Sequence, residues 1–85
     1  YDKAIEYLEL ALASNLKTLG EDHPNVALSR NNIGLAWYSK RDYDKAIEYL
    51  ELALASNLKT FGEDHPNVAR TRNNLAAAKA KKDNQ

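Results

Sequence analysis

Eighty-five residues, 44% of them hydrophobic and 28% charged, amount to one small domain or a piece of a larger array, with little surface to bury alone. The longest apolar stretch, Ile33 to Tyr38, is six residues, too short to span a bilayer, and without cysteine there is no disulfide or thiolate metal site. The net charge of zero is divided unevenly: residues 1–64 carry seven basic and eleven acidic side chains, residues 65–85 five basic and one acidic. A zero total lacks the basic footprint of a nucleic-acid binder, so no nucleic-acid partner is expected, and the charged content and short apolar runs predict no membrane partner.

The first segment places Tyr1, Ala4, Ile5, Leu8, Ala11 and Leu12 at the i, i+3, i+4, i+7 spacing of an amphipathic helix, with Asp2, Lys3, Glu6 and Glu9 between them. Leu16 and Leu19 extend the stripe as far as Gly20, a natural C-terminal stop, which gives a helix over about 1–18. With no initiator Met and no signal-like start, Tyr1 reads as a cut point inside a longer chain. Glu21, Asp22 and His23 form a polar connection. Pro24 then suits a first helical turn, where its missing N–H costs nothing. The second helix runs through Val26, Ile33, Ala36 and Trp37 over about 24–40.

After Arg41 and Asp42 the pattern restarts. Residues 43–69 repeat residues 1–27 at an offset of 42 with one change, Leu19 to Phe61. Residues 70–84 keep only Arg30, Asn31, Asn32, Ala36 and Lys40 of 28–42, as Arg72, Asn73, Asn74, Ala78 and Lys82. Copies 1–42 and 43–84 therefore predict four helices, the last two over about 43–60 and 66–82, in one repeat region over 1–85. Divergence in the last helix fits a terminal unit adapted as a cap. No segment alternates with the period of a strand. The fold expected is all-α, antiparallel helical hairpins stacked as a short right-handed solenoid.

Ile33-Gly34, Trp37, Ala46, Leu50, Ala53 and Pro66 match the bulky, small and aromatic positions of the tetratricopeptide repeat. The longer period, with Leu-Gly-Glu-Asp-His-Pro-Asn-Val-Ala and Asn-Asn-Ile/Leu, resembles the kinesin light chain type of that family. The resemblance implies a chain that starts on the second helix of one repeat and ends on the first helix of another. It also implies a non-catalytic interaction module or scaffold with a protein or peptide partner.

A groove lined by the first helix of each repeat leaves Leu28, Asn31, Asn32, Leu35 and Ser39 facing it or its edges. Their equivalents are Arg70, Asn73, Asn74, Ala77 and Lys81. An Asn side chain both donates and accepts, so it can pair with the backbone of an extended peptide whatever its sequence. Relatives with peptide-binding grooves place an Asn where Asn32 and Asn74 stand; the alternative is an Asn that is solvated or bridges to the next helix. Arg70 replaces Leu28, Arg72 repeats Arg30, and guanidinium forks favour an acidic peptide. The opening helix lacks a first-helix partner, so Ala4, Leu8 and Ala11 are expected to be partly uncovered and prone to self-association. Arg41 stands where such hairpins often use Gly. Either another turn geometry accommodates it, or the flanking helices fuse and exchange between molecules, a known route to dimers.

Catalytic chemistry is not expected. His23 and His65 lie one period apart, one per loop, and no third ligand completes a metal site. A helix-capping role for Asp22 or His23 fits better. Glu6 and Glu9 share an exposed face with Lys3, and Ser14, Ser29, Ser39 and Ser56 have no partnering base. No cofactor is implied.

Overall fold

The computed structural model describes residues 2–21 and 23–84. Four helices follow one another: α1 (Asp2–Leu19), α2 (Pro24–Ser39), α3 (Tyr43–Phe61) and α4 (Pro66–Asp83). Tyr1 and Asp22 lie outside the described residues.

The turns explain the boundaries. Gly20 and Gly62 sit at φ +86° and +80°, where a side chain would be strained, and the Gly62 N–H closes α3 on the Leu58 carbonyl at 3.0 Å. The residue that starts each following helix is the histidine. The Nδ1 atoms of His23 and His65 accept the N–H groups of Asn25 and Asn67, each at 3.1 Å, with Pro24 and Pro66 opening the first turn. Asp42 caps α3 by accepting from Lys45 N–H at 3.2 Å.

The connection from α2 to α3 is tighter. The N–H of Asp42 reaches the Trp37 carbonyl and that of Arg41 the Tyr38 carbonyl, both at 3.0 Å, which closes a Schellman turn. That turn needs a left-handed residue, and Arg41 supplies it at φ 73°. A β-carbon there costs about 1–2 kcal/mol. The turn thus keeps its usual geometry around a strained arginine.

Each helix packs on the next, and α2 also touches α4. Helix α3 lies between α2 and α4, where Ala46, Leu50 and Ala53 are fully buried. Gly34 permits the closest approach: a β-carbon there would fall 2.8 Å from Leu50 Cγ and 3.3 Å from the Ala46 carbonyl oxygen. Ile33, Val26 and Leu12 form one core cluster, and Ala46, Leu50, Leu75 and Ala78 the other, with Trp37 packed against both. Lys45 Nζ lies 4.4 Å from the centre of the Trp37 ring, a cation–π contact that ties α3 to α2.

The hairpins α1–α2 and α3–α4 share several of their polar contacts. Asn15 donates to Ser29 Oγ at 3.2 Å and Asn57 to Thr71 Oγ1 at 3.0 Å. Arg30 pairs with Glu21 at 2.9 Å and Arg72 with Glu63 at 3.1 Å. Lys40 pairs with Asp2 and Lys82 with Asp44, which holds the Asp2 carboxyl below its ordinary pKa and the Lys82 ammonium above its own.

Candidate peptide-binding face

Helices α2 and α4 begin after equivalent loops and run side by side, so their outer residues share one face. Leu28 and Leu35 of α2 remain 49% and 37% exposed, and Asn32 is exposed beside them. Helix α4 contributes Arg70, Asn73, Ala77 and Lys81, all exposed, with Asn74 half-buried.

Asn31 departs from the groove expectation. It is buried, and its Oδ1 accepts from Asn74 Nδ2 at 3.1 Å, so the pair bridges α2 to α4. Burial without such a bond would leave a polar amide unsatisfied at a cost of about 1–3 kcal/mol. The two asparagines of each copy thus differ in role: Asn31 and Asn74 join the repeats, while Asn32 and Asn73 stay open. The sequence favours Asn32 and Asn74 among the four by resemblance, and Asn74 bonds to Asn31; identical dipeptides carry no sign of which neighbour covers them.

The arginines separate in the same way. Arg72 turns to Glu63 in its own loop, away from the face. Arg70 Nη2 donates to Asn67 Oδ1 at 2.6 Å, and among the described residues no acid pairs with it. Arg70 borders a small hollow with Leu28, Asn31 and Asn67. A cation oriented by a neutral amide keeps its charge available to an incoming carboxylate.

The self-association candidates lie elsewhere. Ala4 and Ala11 are exposed on α1 and Leu8 is half-buried. Among the described residues, no group of three His, Asp or Glu side chains is arranged to hold a metal ion. His23 and His65 have each committed Nδ1 to a cap.

Stacked antiparallel helix pairs, joined by repeated loop and helix contacts and open along one face, define a helical-repeat fold. The chain belongs to the tetratricopeptide repeat family, whose model matches residues 1–57 and again 38–85. Tetratricopeptide repeats are non-catalytic modules that mediate protein–protein interaction. No curated protein matches the sequence.

Proposed function

We propose that the α2–α4 face binds an extended, acidic peptide of a partner protein. Arg70 carries this reading: an exposed guanidinium, free of acids among the described residues, next to the exposed Leu28 and within the basic α4. Leu28 and Leu35 offer apolar contact, and Asn32 and Asn73 offer backbone pairing. The 42-residue period and the kinesin light chain-like motifs are in keeping with this reading. The test is a pull-down with Arg70→Glu and Asn32→Ala, which leave the Asn31–Asn74 bond intact. Loss of partner capture at unchanged helicity is expected. Recovery of the same partners would remove the groove assignment.

A second reading, self-association, is favoured by a different observation. Ala4 and Ala11 are exposed, while Ala46 and Ala53, in the same sequence context, are fully buried. A helix face built to be covered is open, and the strained Arg41 turn lowers the cost of opening the α2–α3 hinge. Sedimentation of Leu8→Glu tests it: dissociation of any dimer supports the reading, and an unchanged mass counts against it.

A further inference from the structure

At the far end of the same face, a cleft of about 460 Å³ lies between the α2–α3 turn and the last turns of α4. Tyr38, Arg41, Tyr43, Ala77, Lys81 and Asn84 border it. Two positive side chains border it, and among the described residues neither Arg41 nor Lys81 has an ion-pair partner. The nearby pairs are committed elsewhere: Lys40 to Asp2, Lys79 to Glu51 and Lys82 to Asp44. Tyr38 and Tyr43 meet edge to face with ring centres 5.5 Å apart, giving the cleft an aromatic wall. A charge-bearing cleft with one aromatic side and two free cations suits a carboxylate attached to an apolar or aromatic segment.

Arg41 adds an independent reason. Glycine would fit its left-handed position without strain, yet a guanidinium stands there at the mouth of the cleft. Strained non-glycine residues cluster at ligand clamps, where the side chain has work that the backbone alone does not require.

We infer that this cleft is a carboxylate-binding site for an acidic side chain of a partner protein, with Arg41 and Lys81 as its two cations. Arg70 and Lys81 lie eleven residues apart on α4. That is close to three helical turns, so both project from one stripe about 16 Å apart. An extended peptide covers that distance in about five residues. Two acids spaced by five therefore reach both sites at once, a corollary that rests on the groove reading through Arg70; the cleft itself does not.

The probe is acetyl-Gly-Phe-Glu-Gly-amide, titrated into isotope-labelled monomeric protein and followed by backbone amide NMR, with the Gln peptide as control. Shifts at Arg41, Ala77, Ala80 and Lys81, at least fivefold weaker with Gln, are expected. They should vanish in Lys81→Glu, an exposed position, and fall in Arg41→Ala, which keeps the strain and removes the guanidinium. Equal response to the Glu and Gln peptides, or an unaltered response in Lys81→Glu, overturns the cleft. A longer peptide with two Glu residues five apart should bind about tenfold tighter than one with them two apart, as expected when a second contact becomes intramolecular. If only that gain is missing, the cleft stands and the Arg70 groove falls. If Arg70→Glu weakens the long peptide while Lys81→Glu does not, the cleft falls and the groove stands.

Discussion

Residues 2–19 and 44–61 differ at one position, Leu19 against Phe61, and both are helical along their length. Helix α3 is clasped between α2 and α4, whereas α1 packs on α2 and is reached from α3 by the Tyr49 side chain. The same alanines are buried in one helix and exposed in the other, and Leu50 is fully buried where Leu8 is half-covered. Tyr7 is 78% exposed, while Tyr49 is half-buried and its hydroxyl donates to Glu9 at 2.7 Å. The reverse also holds: Ile5 and Leu12 are buried beneath α2, but Ile47 and Leu54 are only half-covered by α4, where Lys79 stands in place of Trp37. Periodicity specifies which face of a helix is apolar. The neighbours decide whether that face is covered.

The largest expected effect sets the two helices against each other directly. Leu50→Ala should cost about 2–5 kcal/mol, the range for a buried large-to-small change. Leu8→Ala should cost less than half as much, by urea denaturation. Equal losses would break the comparison. Next comes the contact that clasps α3. Gly34→Ala drives a β-carbon into the fully buried Leu50 side chain, an overpacking of about 1–3 kcal/mol. That outweighs the roughly 1 kcal/mol by which Ala favours a helix. The mirror change in α4, Ala76→Gly, loses only that helical preference. A Gly34→Ala protein that melts higher than its parent would show that the close approach is dispensable.

Arg41→Gly relieves the left-handed strain and should raise stability by about 1 kcal/mol, or roughly 4–8 °C in Tm for a domain this size. A lower Tm would mean that the arginine side chain stabilises the turn by more than its backbone costs. The smallest effect separates Tyr7 from Tyr49. Burial, then the hydrogen bond to Glu9, pushes the Tyr49 phenol from 10.0 up to about 12. Its pKa is raised on folding, so its contribution to stability is present below pH 10 and lost as pH climbs toward 12. Absorbance near 295 nm should register a late step from Tyr49, and Tyr49→Phe should remove that step. If the late step persists in Tyr49→Phe, the assignment is wrong.

Much of the fold was legible in the sequence because the cues are local. Gly20, Pro24, Asp42, Gly62 and Pro66 mark boundaries that fall within a residue or two of the expected ones, and the 42-residue offset ties the copies together. Asn31 was not legible in this way: its burial depends on α4, which carries the Asn74 that bonds it. Arg72 depends likewise on Glu63, nine residues earlier in the loop. The repeated Asn15–Ser29 and Asn57–Thr71 bonds left a signal that could have been found, an asparagine kept in both copies opposite a hydroxyl residue. The cleft at Arg41 brings together a turn and a helix end some forty residues apart, which no periodicity predicts.

The amide bridge between the hairpins has a direction. Asn74 gives its N–H to Asn31, so the later unit donates through its second asparagine and the earlier unit accepts through its first. Asn73 on α4 and Asn32 on α2 are then the two amides left exposed. Each of these amides carries both an oxygen acceptor and N–H donors, so a hairpin added in the same manner at either side could continue the row. The pair of asparagines acts as a stitch at a fixed height between neighbouring hairpins, one that a further unit of the same sequence would meet in the same register.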